Sequence, residues 1–373
     1  MKPNKICKCL AVLLVMNSLF TATADEVELV LEHSQDMSNW TSVEVTPEML
    51  SPDGKILMGD SANAGFFRLR VEIVDGPPVP PVPADFVEIS ADSFEMGDSF
   101  NEGNTDERPV HTVDVSRFYM QSTEVTNAQM AEVMNWAFGQ GLVTASTSTV
   151  RNVNGDVQEL LNMDDSDIRL SWTGSQMVAD SGFEDHPVVE VTWYGAVAYC
   201  QFRSQMDGLS PCYDFSDWSC DFTKNGYRLP TEAEWEKAAR GGLSGKRFSW
   251  GDTISHDEAN YWAFNSSAYD LSSVGKHPTY SSTNTAPVGS FPGAGGLHDM
   301  VGNVWEWCHD WYGSSYYGTS PATDPSGPAS GSNRVLRGGS WYDFADDCRV
   351  ADRRHLISPG RSDYRSGFRP VRR

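Results

Sequence analysis

The C-terminal forty residues carry the side chains with the most distinctive chemistry in this chain. They include ten arginines, although the formal net charge of the whole chain is −23. The thiol of Cys348, the Gly338-Gly339 pair and several aromatic residues lie among them. A solvated basic tail would lack this mixture, so we expect a folded, interior segment. Its cysteine could serve as a reactive thiolate or as a metal ligand.

Buried guanidinium groups need anionic partners, and the same segment supplies carboxylates. We therefore expect Arg337, Arg349 and Arg353 to form interior salt bridges with nearby aspartates. The candidates are Asp343, Asp346, Asp347 and Asp352. Binding of an anionic ligand is the alternative role for these arginines.

Residues 1–24 have the pattern of a secretory signal peptide. Lysines precede an apolar run from Leu10 to Phe20, and Ala22-Thr23-Ala24 is a small-residue cleavage site. The run is too short to span a bilayer, which needs about 20 apolar residues, and we see no other candidate span. We expect cleavage and a secreted, periplasmic or cell-surface protein.

Five cysteines remain after cleavage: Cys200, Cys212, Cys220, Cys308 and Cys348. An exported protein can oxidise them, and an odd number leaves at least one unpaired within the chain. Cys212 and Cys220 flank a short loop, so we predict a local disulfide between them.

Composition and pattern predict two folded parts. Alternating apolar residues in 25–75 indicate a small β-rich module, and the proline-rich stretch 76–84 is a stiff linker. The main domain, 85–373, is rich in turn residues, so we expect many loops, turns and short strands. The net charge of −23 for the whole chain argues against a nucleic-acid partner.

Three helices are predicted in the main domain. Thr126 opens a capping box before the first helix, and the second covers about Tyr194 to Met206. The third starts after Thr231 and ends at Gly241. Residues 138–185 are polar and hairpin-like, with a turn at Asn154-Gly155, and we interpret them as an insertion.

Several motifs of the main domain resemble the formylglycine-generating enzyme family, also called sulfatase-modifying factors. They are Glu124-Val125-Thr126-Asn127, His186-Pro187-Val188, Arg228-Leu229-Pro230-Thr231-Glu232, Gly302-Asn303-Val304-Trp305-Glu306-Trp307, Arg337-Gly338-Gly339-Ser340-Trp341 and Gly367-Phe368-Arg369. They occur in family order over the whole of 85–373. The resemblance implies an irregular, loop-rich α+β domain akin to C-type lectins, with calcium bound among its loops.

The activity that this resemblance implies is oxidation of a sulfatase cysteine to formylglycine by O2, with copper held by two cysteines. Here Cys348 matches the second cysteine, whereas Asp343 stands where the first is expected. Ser340 resembles an active-site serine, and Trp307 would line the cleft with it. Copper(I) prefers paired thiolates, so the replacement puts the oxidase chemistry in question.

Cys308 offers a substitute partner for Cys348. The two could form a disulfide, remain as inert thiols, or make a two-thiolate copper site. The resemblance also implies two disulfides, and neither can form here. The position that would pair with Cys200 holds Pro370, and the two positions of the other disulfide hold Ala239 and Arg353.

The resemblance also implies a calcium loop around Glu306. Its ligands would be the carbonyl groups of Val301, Gly302 and Val304 and the carboxylate of Glu306, since calcium takes oxygen ligands. Asn260 and Tyr261 would belong to a second site. The alternative is a buried Glu306 that accepts hydrogen bonds from backbone N–H groups.

Our leading interpretation is an exported, calcium-stabilised member of the family that binds a protein, peptide or small ligand in its cleft. An O2- and copper-dependent oxidase acting on a sulfatase is one alternative. A lectin-like adhesion module is the other.

Overall fold

The computed structural model describes residues 26–34, 41–43, 66–74 and 81–373, the last range without 265, 266 and 356. The chain divides into two compact units, Met1–Val79 and Pro80–Arg373. The first contains an antiparallel sheet of β1 (Glu26–Ser34), β2 (Thr41–Val43) and β3 (Phe66–Val74), in the order β2-β1-β3. The predicted signal segment and residues 76–80 of the predicted linker lie outside the described residues.

Short strands make up most of the regular structure of the second unit. They are β4 (Phe86–Ile89), β5 (Asp92–Met96), β6 (His111–Val115), β7 (Phe118–Gln121), β8 (Val143–Ala145), β9 (Thr149–Asn152), β10 (Glu159–Asn162), β11 (Leu170–Trp172), β12 (Met177–Ala179), β13 (Tyr213–Asp214), β14 (Ser219–Cys220), β15 (Trp262–Ala263), β16 (Gly275–Lys276), β17 (Trp305–Trp311), β18 (Arg334–Arg337), β19 (Ser366–Gly367) and β20 (Val371–Arg372). The sheets β20-β7-β4 and β18-β17-β19 join the C-terminal segment to earlier parts of the unit.

The three predicted helices are confirmed as α1 (Asn127–Gly139), α2 (Trp193–Met206) and α3 (Glu232–Arg240). Thr126 and Thr231 cap α1 and α3 with complete capping boxes, and Gly241 ends α3 at φ 51°. Strands β8 to β12 form the predicted insertion, whose Asn154-Gly155 turn lies between β9 and β10. The α+β expectation is therefore confirmed.

Two apolar clusters form the core of the second unit. One surrounds α1 and α2 and the other surrounds α3, with large side chains such as Trp193 and Trp235 buried in them. Strand β17 lies between β18 and β19 and contributes Trp305 and Trp307 to the first cluster and Cys308 to the second. Within the described residues, no helix is long and apolar enough to cross a bilayer.

Candidate functional site

The arginines of the C-terminal segment are buried, as the sequence indicated, but their principal partners are glutamates from other elements. Arg349 pairs with Glu107 at 2.7 Å, and Arg353 pairs with Glu232 at 2.6 Å. Arg337 pairs with Glu236 on α3. The aspartate expectation is thus wrong for Arg337 and Arg353, while Arg349 also approaches Asp352 at 3.6 Å. Only the fold brings these distant carboxylates together.

Asp343 lies at the centre of a polar group between the Gly338-Gly339 turn and β17. Its Oδ1 lies 3.1 Å from Arg354 Nη1 and 3.2 Å from Arg365 Nη1. Its Oδ2 accepts a hydrogen bond from Trp305 Nε1 at 2.8 Å and another from Ser340 Oγ. Two cations and two neutral donors therefore contact this one carboxylate.

The Gly-Gly turn positions Cys348 against this group. Gly339 has φ 79°, and a Cβ atom there would lie 2.4 Å from Cys348 Sγ, so the thiol needs glycine at that position. Cys348 is 0% exposed. Burial raises the pKa of Cys348 well above its usual range, and the neighbouring Asp347 and Asp343 raise it further. A thiol in such surroundings is protonated at neutral pH and inert.

Copper does not fit these residues. Asp343 is already occupied by Arg354 and Arg365, which would repel a copper ion. Cys308 and Cys348 are both free and buried, and their charged neighbours differ. Asp310 and Glu232 lie near Cys308, whereas Asp347 and Asp343 lie near Cys348. The suggested Cys308–Cys348 disulfide is not formed in the structure.

Trp307 does not line the cleft. Its side chain is 0% exposed, and its Nε1 donates to the carbonyl group of Val191 at 3.1 Å, so it belongs to the core. Trp305 is the tryptophan that reaches Asp343. The two tryptophans are two positions apart on one strand, so the sequence pattern places both on the same face and could not separate their roles. Arg354 and Arg365 were also missed, since ten arginines in one segment gave no basis for choosing between them.

An aromatic surface adjoins Asp343; we name it the aromatic rim. It consists of Trp262, Phe264, Trp341, Tyr342, Phe344 and Tyr364. Phe264, Tyr342 and Phe344 are 47%, 44% and 39% exposed. The rings of Phe264 and Phe344 stack with centroids 5.1 Å apart, and Trp262 N donates to the Asp343 carbonyl group at 3.0 Å. The rim is thereby fixed to the backbone that carries Asp343.

The proposed calcium loop is only partly suited to a cation. Both oxygens of Glu306 lie 2.7 Å from Arg369 nitrogens, and Trp235 Nε1 also donates to this carboxylate. Glu306 is therefore ion-paired with Arg369. Its hydrogen-bond donors are the side chains of Arg369 and Trp235 and not the backbone N–H groups that the sequence analysis gave as the alternative to calcium. The described residues contain no group of three histidines, cysteines or acids arranged to hold a metal. Any cation here would depend mainly on carbonyl and amide oxygens.

Glu124, which the sequence reasoning did not assign to the site, lies beside Glu306. One oxygen accepts from Asn303 Nδ2 at 3.0 Å. The other is buried, lies 4.0 Å from Arg369 Nη2 and has no hydrogen-bond partner among the described residues. Burial raises the pKa of Glu124, and nearby Asp299 raises it further while Arg369 lowers it. The carboxyl groups of Glu124, Glu306 and Asp299 thus lie near a single arginine, Arg369. A bound cation would reduce the excess of negative charge.

The remaining predicted ligands pack around Asn303. Gly302 N donates to Gly338 O at 2.8 Å, and Asn303 N donates to Asn260 O at 2.7 Å. Asn260 Nδ2 lies 3.2 Å from Asn303 Oδ1. Tyr261 hydroxyl donates to Asp270 Oδ1 at 2.5 Å. Val301 and Val304 are buried beside them, so the structure brings the two suggested calcium sites together at one junction.

The predicted Cys212–Cys220 disulfide is not formed in the structure, but the two thiols are neighbours. Tyr213 and Cys220 are paired residues of β13 and β14, and a hydrogen bond from Cys220 lowers the pKa of Cys212. Both cysteines are free. This hairpin therefore holds a thiol pair in contact.

Comparison with known proteins supports the resemblance over the whole second unit. Residues 76–373 match the sulfatase-modifying factor enzyme 1-like domain. The chain is 35% identical over 310 residues to the formylglycine-generating enzyme of Streptomyces coelicolor, covering 76% of this chain and 87% of that one. It is 32% identical over 367 residues to the serine/threonine-protein kinase pkn1 of Chlamydia caviae.

That match covers 95% of this chain, but this chain spans only 50% of the length of the Chlamydia protein. Among solved structures, Treponema denticola variable protein 1 matches with a TM-score of 0.55 and 30% identity, covering 77% of this chain and 94% of that one. Family match, identity and fold agree. The chain belongs to the sulfatase-modifying factor family, that of the formylglycine-generating enzymes.

Proposed function

We propose that this protein is a binding member of its family that recognises a peptide or protein ligand at the aromatic rim and lacks oxidase activity. The observation that carries the proposal is the pairing of Asp343 with Arg354 and Arg365. Asp343 occupies the position at which the resemblance places a copper-binding cysteine. The retained cysteine, Cys348, is buried and protonated beside four aspartates.

The rim has the chemistry of a protein-recognition surface. Exposed aromatic side chains provide large contact areas with little loss of side-chain entropy, and they dominate the energetics of many interfaces. Arg365 lies 5.1 Å from the Tyr364 ring and 5.8 Å from the Tyr342 ring, so the rim also has a polar edge. Asp343 and Asp363 balance Arg354 and Arg365. We therefore expect a ligand segment with an aromatic or branched aliphatic side chain and little net charge.

Calcium binding and export complete the proposal. One buried oxygen of Glu124 has no hydrogen-bond partner among the described residues, and its nearest cation, Arg369, is 4.0 Å away and hydrogen-bonds Glu306 instead. This supports a cation near Glu124 and Asn303. The amino-terminal signal pattern supports export. Neither the ion nor the compartment is needed for the argument on Asp343.

The first experiment tests oxidase activity. The purified protein is incubated with copper, O2 and a peptide that contains the Cys-x-Pro-x-Arg motif, and aldehyde formation is measured by hydrazine capture. We expect no more aldehyde than with the Cys348→Ser variant. Aldehyde formed by the wild-type protein and abolished by that substitution would refute the proposal.

The second experiment tests binding with a random peptide phage library. We expect enrichment of peptides with aromatic or branched aliphatic residues, and loss of their binding in the Phe264→Ala/Phe344→Ala variant. Phe138→Ala is the matched control, because Phe138 is 38% exposed but lies on α1 outside the rim. Equal binding by both variants would exclude the rim as the site.

A further inference from the structure

A second concave site lies away from the aromatic rim, between the insertion, α2 and the β13–β14 hairpin; we name it the hairpin pocket. Its volume is about 320 Å³, at the lower end of the range for small-molecule sites. Asn154, Gln201, Gln205 and Asp214 supply its polar lining, and Phe202 and Phe215 form apolar walls. None of its lining residues belongs to the rim or to the Asp343 group.

The polar lining consists of amides and one carboxylate. Gln201 Oε1 accepts from Tyr213 N at 3.1 Å, which fixes this amide in place. Asp214 Oδ1 accepts from Ser216 N at 2.8 Å. Among the described residues we find no partner for Asp214 Oδ2 or for the side-chain amides of Asn154 and Gln205. These groups offer both donors and acceptors to a ligand.

The apolar walls are held rigidly. The rings of Phe202 and Phe215 meet edge to face with centroids 5.8 Å apart, and Phe215 stacks on Trp218 at 4.5 Å. Asp156 N donates to Phe215 O at 2.7 Å, which ties the hairpin to the insertion. Gly155 makes this approach possible, because a Cβ atom there would lie 2.3 Å from Phe215 O. A preformed pocket loses less entropy when a ligand binds.

We propose that the hairpin pocket binds an uncharged sugar residue of a glycan. A pyranose ring presents an apolar C–H face, which packs on aromatic rings, and vicinal hydroxyl groups, which both donate to and accept from amides and carboxylates. Among the described residues, no lysine or arginine lines the pocket, and Asp214 would repel an anion. The lining therefore favours neutral sugars over phosphates, uronic acids and sialic acids. This proposal is independent of the proposed function of the rim.

The test uses the full chain and an array of immobilised neutral and acidic glycans, followed by saturation-transfer NMR with the methyl glycosides of glucose, galactose, mannose and N-acetylglucosamine. We expect the protein to bind at least one neutral sugar. Gln205→Ala and Asp214→Ala should each weaken that binding by about tenfold, the effect of losing one good hydrogen bond. Both positions are exposed, so the variants should fold, which circular dichroism checks.

Asp217→Ala is the matched control, because Asp217 is an exposed aspartate of the same hairpin outside the lining. It should leave sugar binding unchanged, as should the Phe264→Ala/Phe344→Ala rim variant. Failure to bind any neutral glycan, preference for acidic glycans, or equal binding by Asp214→Ala and wild type would each overturn the proposal. Asn154→Ala provides a third lining variant if one of the others is unstable.

Discussion

Arg354 Nη1 lies 3.1 Å from Asp343 Oδ1 in a group that Arg365, Trp305 and Ser340 complete. The carboxylate is therefore part of a charge-balanced network, and it is 11% exposed. Such a network stabilises one conformation of the turn that bears the aromatic rim. It also pairs the carboxylate near Cys348 with two arginines.

Replacing Asp343 with cysteine should create a second thiol in the position that the resemblance assigns to one. We expect the Asp343→Cys variant to bind copper(I) at least about tenfold more tightly than wild type, because copper(I) prefers soft ligands. Competition with a colorimetric copper(I) chelator measures the affinity, and Asp343→Ser is the control. Stoichiometric, Cys348-dependent copper binding by wild type would contradict our interpretation of the site.

Glu236 should be a major stabilising residue, because it pairs with both Arg337 and Arg240 in the core. Glu236→Gln should lower the free energy of unfolding by about 3–5 kcal/mol, since it leaves buried arginines uncompensated. Urea denaturation measures this change. Glu159→Gln breaks the exposed pair with Arg151 and should cost less than about 1 kcal/mol. Similar losses in the two variants would contradict the prediction.

Calcium should stabilise the protein through Glu124. Saturation to about 100 times the dissociation constant would contribute about 2.7 kcal/mol, so a chelator should lower the Tm measurably. Glu124→Gln should reduce this response, because it replaces a carboxylate ligand beside Asn303 with an amide. Differential scanning calorimetry with EGTA, with and without added calcium, makes the comparison. If EGTA leaves the Tm of the wild-type protein unchanged, the proposal of bound calcium is wrong.

Glu190 should make stability depend on pH. Burial raises the pKa of Glu190 to about 7, and the nearby Asp165 and Asp363 also raise it, so the folded state holds this proton more tightly than the unfolded state. The resulting stabilisation is complete below the unfolded value, near 4.5, and is lost as the pH rises through 7. Glu190→Gln should remove this loss. Urea titrations of both proteins from pH 4.5 to pH 8 test it, and parallel curves would exclude Glu190 as the cause.

Mild oxidation should join Cys212 and Cys220 but leave Cys348 and Cys308 reduced. Cys212 and Cys220 share a hydrogen bond that lowers the pKa of Cys212 and raises the pKa of Cys220, so the pair contains one activated thiol. Cys308 and Cys348 are both fully buried, and burial raises the pKa of each well above its usual range. Peptide mass mapping after treatment with oxidised glutathione identifies the products. A disulfide between Cys308 and Cys348 would contradict the structure.

The local elements could be predicted from sequence because their signals are local. Thr126 and Thr231 specify helix starts through their own side chains and those three residues later, and Gly241 specifies a helix end by adopting a positive φ. The family motifs likewise occupy contiguous stretches. These features identified the α+β class, the three helices and the family.

The candidate site depended on contacts between residues far apart in the chain. Arg349 pairs with Glu107, and Arg369 pairs with Glu306, because the sheets bring the C-terminal segment against earlier strands. No spacing rule ranks one buried arginine above another. Sequence therefore determined that Asp343 stands near Cys348, and tertiary structure decided that two arginines and Trp305 make it part of a charge-balanced network.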